Sequence, residues 1–221
     1  MSFQVAIDGP AGAGKSTIAK AVAKKENLIY VDTGAMYRGV AYFLLKSGCD
    51  LDDPEAVAAK CVEAAIEIVY ENGVQCVMLN GENINAFLRT EEVGNAASKT
   101  SANPAVRKHL FDLQKKLAES SDCVMDGRDI GTVVLPNAQL KVFLTAGSDV
   151  RAKRRYDELK AKGEDADLLK IKDDIEKRDY QDMHREISPL TQAADAVLVD
   201  TSDMNIDQVC DRLCELIDSR R

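Results

Sequence analysis

Eight residues near the N-terminus, Gly9-Pro10-Ala11-Gly12-Ala13-Gly14-Lys15-Ser16, have the spacing G-x-x-x-x-G-K-[ST]. The chemistry that suits this spacing is phosphate binding. Small residues let backbone N–H groups close around phosphate oxygens, and a helix that begins where the loop ends adds a favourable dipole. The ammonium of Lys15 would reach terminal phosphates, and the Ser16 hydroxyl would ligate Mg²⁺. Gly9, Pro10, Ala11, Gly12, Ala13, Gly14, Lys15, Ser16 and Thr17 are therefore candidate contacts to a nucleotide triphosphate. An apolar run, Val5-Ala6-Ile7, precedes the loop, and a helical pattern from Thr17 to Lys25 follows it. That is the strand–loop–helix context the motif requires.

The other chemistry-bearing residues are mostly arginines and aspartates. Thr33, Tyr37 and Arg38 follow a second strand candidate, and a guanidinium suits bidentate phosphate binding. Asp126-Gly127-Arg128-Asp129 follows Cys123-Val124-Met125. A carboxylate at such a strand end, Asp126 or its counterpart Asp32, can support Mg²⁺ through water. Gly127 leaves room for close approach, Arg128 can hold a second phosphate, and Asp129 can accept a hydrogen bond from an exocyclic amine. Arg178, Asp182 and Arg185 stand at i, i+4 and i+7, so they share one face of a helix. Such a face can bind anions or simply pair within itself. Arg151, Arg154 and Arg155 form a second cluster that suits a triphosphate or a solvated helix face. Ser98, in Asn95-Ala96-Ala97-Ser98, and Arg107 are candidates to read a base.

The elements that must position these residues alternate. Short apolar runs at Gln4–Ile7, Leu28–Val31, Cys123–Met125, Lys141–Leu144 and Ala196–Val199 are separated by helical patterns. This predicts an α/β fold with a mostly parallel sheet, whose ligands gather at the strands' C-terminal ends. Residues 66–79 depart from the alternation. Two apolar runs flank Glu71-Asn72-Gly73, and Asn80-Gly81 follows, which predicts a small antiparallel insertion near residues 65–90. Residues 151–185 are highly charged, helical and poor in large apolar side chains, as suits a mobile lid.

With 221 residues, 45% of them apolar and 30% charged, the chain reads as globular. A net charge of −8 argues against a general nucleic-acid or membrane-surface role. Sites for anions must then be local basic clusters on an acidic body. No secretory leader and no bilayer-spanning run is seen, so a cytoplasmic protein is expected. The six cysteines show no C-x-x-C spacing, and Cys210 and Cys214 suit packing on one apolar helix face. Neither D-x-x-G nor N-K-x-D occurs, which argues against a GTPase switch.

Taken together, these residues resemble bacterial cytidylate kinases over nearly the whole chain. The resemblance rests on Gly9–Ser16, Asp32-Thr33-Gly34-Ala35-Met36-Tyr37-Arg38, the hairpin insertion, Asn95–Ser98, Asp126-Gly127-Arg128-Asp129 with the residues through Pro136, and the Arg178–Arg185 segment. It implies a three-layer P-loop kinase core with a five-stranded parallel sheet, a monophosphate-binding insertion at about 60–92 and a helical lid at about 150–186, within one kinase domain. It implies transfer of the terminal phosphate of ATP to CMP or dCMP, with Mg²⁺. Ser98, Arg107 and Asp129 would contact cytosine. Arg38, Arg128 and Arg185 would hold the CMP phosphate, and Asp182, Arg178 and Tyr37 the sugar. Arg154 would reach ATP from the lid. Lys15, Arg128, Arg178 and Arg185 would carry catalysis. Thr33 stands where the family often has Ser, and Gln181 where a further Arg can occur. A monomer is expected, with no nucleic-acid polymer or membrane as partner. The rival readings are a kinase for another small molecule or monophosphate, such as UMP or AMP, and a nucleotide sensor without turnover.

Overall fold

In the computed structural model, which describes residues 2–221, the strand that feeds the glycine-rich loop is β1 (Gln4–Asp8). It is buried from Val5 to Asp8, because strands covered on both faces read as continuous apolar runs. The loop ends in α1 (Lys15–Lys25), then β2 (Ile29–Asp32), α2 (Thr33–Lys46) and α3 (Pro54–Cys61). A meander of β3 (Ile66–Glu71), β4 (Val74–Leu79) and β5 (Glu82–Asn83) follows. Next come α4 (Glu91–Thr100), α5 (Pro104–Ser120) and β6 (Cys123–Gly127). A π-helical turn at Ile130–Val134 leads to β7 (Leu140–Thr145). The chain closes with α6 (Ser148–Ala161), α7 (Leu168–His184), β8 (Val197–Asp200) and α8 (Ile206–Asp218).

The parallel sheet has five strands in the order β2-β6-β1-β7-β8, and a separate three-stranded sheet has the order β3-β4-β5. The chain forms two compact units. One comprises Ile29–Asp122 with Ser2, the other Phe3–Leu28 with Cys123–Arg221.

In the second unit β1 lies between β6 and β7, with Ile7 opposite Asp126 and Asp8 opposite Gly127. This register sets the aspartate at the end of β6 beside the start of the loop. The core here is Val5, Ile7, Val124, Met125, Leu140, Val142 and Leu144, each at most 1% exposed. The last helix, α8, carries Asn205 and Gln208 as a reciprocal capping box. It buries Val209, Cys210, Leu213, Cys214 and Ile217, spaced as one helix stripe. Cys210 and Cys214 thus pack on an apolar face, and all six cysteines are free thiols.

In the first unit both hairpin turns take the Asn-Gly form. Asn72 and Gly73 have φ of 51° and 77°, and Asn80 and Gly81 have 50° and 85°. Positive φ at both central positions matches the right-handed twist of the flanking strands. Between the hairpin and β6, where the sequence pattern gives no element bounds, two helices lie. Thr90 caps α4 by accepting from Val93 N–H, and Asn103 caps α5 ahead of Pro104.

The core strands shift by one or two residues from the expected ranges, and two helical segments also differ. The helix after the loop starts at Lys15 rather than Thr17, because Gly14, with φ 84°, already serves as its N-cap. The charged segment is two helices, parted by a turn with Gly163 at φ 76°, and α7 ends at His184. Arg185 is extended, with ψ 142°, so it lies just beyond the helix whose face it was expected to share.

Candidate functional site

The loop of residues 9–14 has positive φ at Gly9, Gly12 and Gly14. Gly9 has φ 152°, and a Cβ there would lie 1.9 Å from the carbonyl oxygen of Leu144. Gly14 adopts the left-handed conformation that turns the chain into α1. Lys15, the first residue of α1, is buried and folds back on its own loop. Its Nζ donates to the carbonyls of Gly9 and Pro10, both at 2.8 Å. Burial, and next to it the Arg128 guanidinium, push the Lys15 pKa down to about 7. Asp126, Asp182 and Asp8 work against that shift.

Ser16 Oγ donates to Asp126 Oδ2 at 2.9 Å. Asp126 is buried on β6, so a hydroxyl and a carboxylate meet at the mouth of the loop. The described residues hold no group of three or more His, Cys, Asp or Glu placed to bind a metal ion. A hydroxyl plus one carboxylate is still an all-oxygen set that fits Mg²⁺, which takes few protein ligands and completes its shell with water and substrate phosphate. Asp32, the other candidate, is occupied differently. It caps α2 by accepting from Ala35 N–H at 2.8 Å and lies 3.4 Å from Arg38.

In the unit that carries the loop, Arg128 and Arg185 belong to one network. Arg128 Nε donates to Asp182 Oδ2 at 2.7 Å. Arg185 Nη1 lies 3.9 Å from Asp182, and its Nη2 lies 3.5 Å from Asp129 Oδ1. Arg185 Nε also donates to Ser188 O at 2.6 Å, which holds the side chain after it leaves the helix. Asp182 thus sits between two guanidiniums, and Asp129 takes one of them. Such charge-assisted bonds fix planar groups in place, ready for an incoming anion. Arg178 stands four residues before Asp182 on α7.

The three arginines of α6 do not act together. Arg151 is buried, donating to Ala146 O and Ala11 O and pairing with Asp179. Arg154 donates to Thr201 Oγ1 and Thr201 O at 3.0 and 2.6 Å. Arg155 pairs with Glu158 at the surface. The sequence pattern gives Asp179 no role and places Asp8 only among the strand-end carboxylates expected to gather around the loop. Asp8 had one signal, its place between the strand and Gly9.

In the unit of residues 29–122, Thr33 is buried at the start of α2 and Tyr37 and Arg38 lie in its next turn. Arg38 Nε is buried with no acceptor among the described residues, a donor that suits an anion. The Arg107 guanidinium lies 5.6 Å from the centre of the Tyr37 ring, and its Nη1 donates to Ser101 O. Ser98 is half-buried on α4.

Comparison with known proteins concerns the chain as a whole. The family model described as cytidylate kinase matches residues 5–219. A cytidylate kinase of Ligilactobacillus salivarius is 50% identical over 218 residues, covering 99% of this chain and 97% of that one. Cytidylate kinases of Lactiplantibacillus plantarum and Geobacillus are 48% and 44% identical, covering 100% and 99% of this chain and 96% and 98% of their own. Among solved structures, an uncharacterized protein from Eubacterium ventriosum superposes with a TM-score of 0.55 at 15% identity, covering 99% of this chain and 100% of that one. A gluconokinase from Sinorhizobium meliloti gives 0.50 at 12% identity, covering 98% and 92%. At those identities the two structures speak to the fold alone.

Proposed function

The chain belongs to the cytidylate kinase family, and we propose that it transfers the terminal phosphate of ATP to CMP or dCMP, giving CDP or dCDP. The observation that carries this is the Arg128–Asp182–Arg185–Asp129 network in the same unit as the loop. One anion engages the loop and Lys15. Two further guanidiniums, braced by carboxylates, call for a second anion, and a monophosphate acceptor supplies it.

The acceptor's phosphate has a second pKa of about 6 and is largely ionised at neutral pH, so no strong general base is required. The chemistry reduces to positioning two anions and screening their repulsion. Loop amides and Lys15 bind the ATP phosphates, with Arg154 as a further contact. Arg128, Arg185 and Arg38 hold the acceptor phosphate, while Tyr37, Arg178 and Asp182 hold the sugar. Ser98, Arg107 and Asp129 read the base. Mg²⁺, bound with ATP, would neutralise phosphate oxygens, and Ser16 Oγ with Asp126 are the groups placed to hold it. Residues of about 60–92 serve as the monophosphate-binding insertion. Those of about 150–186 serve as a lid, whose closure keeps water from the terminal phosphate.

No helix among the described residues is long and apolar enough to cross a membrane. We place the protein in the cytoplasm, as a monomer acting on free nucleotides rather than on nucleic-acid polymers. The test is ADP release from ATP with CMP, dCMP, UMP, AMP and shikimate in parallel. CMP and dCMP should give the highest kcat/KM. Preference for another acceptor would replace this reading with a kinase of different specificity.

A further inference from the structure

Asp8 is the last residue of β1 and directly precedes the loop. It is only 5% exposed, yet it is a carboxylate. Its Oδ1 accepts from Ile130 N–H and its Oδ2 from Gly131 N–H, both at 2.7 Å. These two N–H groups open the π-helical turn, in which Asp129 O accepts from Val133 and Val134 N–H. One side chain therefore fastens the start of the turn that follows Arg128 and Asp129. An amide could not do the same, because it has one oxygen for two donors. The fit is close: a Cβ on Gly131 would lie 3.3 Å from Asp8 Oδ2 and 3.2 Å from Lys141 Cδ.

Folding gains nothing from this charge. Burial raises the Asp8 pKa to about 6 from 3.8. The two N–H bonds and Lys15 oppose the shift, while Asp129 adds to it. Asp129 on the turn, Lys15 at the loop and Lys141 on β7 are the charged groups around it. A folded pKa above the unfolded value means that the native state holds the proton more tightly between those two pH values. Stability therefore falls as pH rises through that window, and ionised Asp8 is a net cost at neutral pH.

Resting on the reading of this chain as a CMP kinase, we propose that Asp8 is a positioning residue. Through the Ile130 and Gly131 N–H groups it sets Arg128 and Asp129 for the acceptor nucleotide. The strand that ends in the donor loop thereby also fixes the acceptor side.

The test compares the wild type with Asp8→Asn, Gly131→Ala and the double variant. Initial rates are measured with CMP varied at saturating ATP, then with ATP varied at saturating CMP, alongside thermal unfolding. In each single variant KM for CMP should rise about tenfold while KM for ATP stays within about twofold, and the double variant should be little worse than either single. Equal changes in both KM values, or an unchanged KM for CMP, would overturn the inference. If Asp8→Asn does not fold, Gly131→Ala decides alone, since its added methyl crowds the same carboxylate. A wild type that turns over ATP with none of the pyrimidine monophosphates would overturn the CMP kinase reading, and this inference with it.

Discussion

Arg151 and Asp179 grip the two polar groups of a single loop residue. Arg151 Nη1 donates to Ala11 O at 2.7 Å, Ala11 N–H donates to Asp179 Oδ1 at 2.9 Å, and the two side chains pair at 2.5 Å. Both are buried, so the geometry of the phosphate loop depends on α6 and α7.

Removing one partner of a buried pair leaves the other charge without compensation, which costs roughly 3–5 kcal/mol. Arg151→Ala and Asp179→Ala should each lower thermal stability strongly and raise KM for ATP. The double variant should lose far less than the sum of the two. Unfolding and kinetics of the three variants check this, and simple additivity would show that the two residues do not work as a pair.

Lys15 gives a proton-linked prediction. Its pKa is pushed down from 10.5 to about 7, chiefly by burial. The unfolded chain thus binds more protons between those values, so the penalty for burying Lys15 fades as pH rises through that window. A pKa of about 7 leaves Lys15 largely neutral above that pH, and a bound polyphosphate should restore its charge. ATP binding at about pH 8 should take up close to one proton, and well below pH 7 it should take up almost none. Calorimetry in buffers of different ionisation heat measures the uptake. Lys15→Met should abolish it, and uptake that persists in that variant would assign it elsewhere.

Arg128→Ala and Arg185→Ala should each lower kcat/KM for CMP by roughly 10²-fold, because both guanidiniums are fixed in place before the acceptor arrives. Direct titration with an ATP analogue should change little. Wild-type kinetics with CMP in both variants would remove these arginines from the acceptor side.

Much of this was legible in the residues. The Gly9–Ser16 spacing and the apolar runs at Cys123–Met125 and Lys141–Leu144 announce the loop and the strands around it. Buried parallel strands must be apolar throughout, which makes them easy to read. Asn72-Gly73 and Asn80-Gly81 announce their turns, since few other residue pairs accept positive φ twice. The helix at 91–100 was harder, because its apolar positions are mostly small residues such as Ala96 and Ala97 that give little contrast. Spacing put Arg178, Asp182 and Arg185 on one face, but it could not foresee that Arg185 turns away after His184 and is held by Ser188 O. The roles of Asp8, Arg151 and Asp179 were illegible for a plainer reason. Their partners lie 122, 140 and 168 residues away, and no local pattern encodes such pairings.

The central claim is that the second anion is a pyrimidine nucleotide whose phosphate accepts the transfer. It is tested most directly by following the label from ATP carrying radioactive phosphorus in its terminal phosphate, mixed with CMP and Mg²⁺. The account predicts that the label appears in the outer phosphate of CDP, at a rate matching ADP release and with little free phosphate. Label recovered only as inorganic phosphate, or left in ATP, would contradict it.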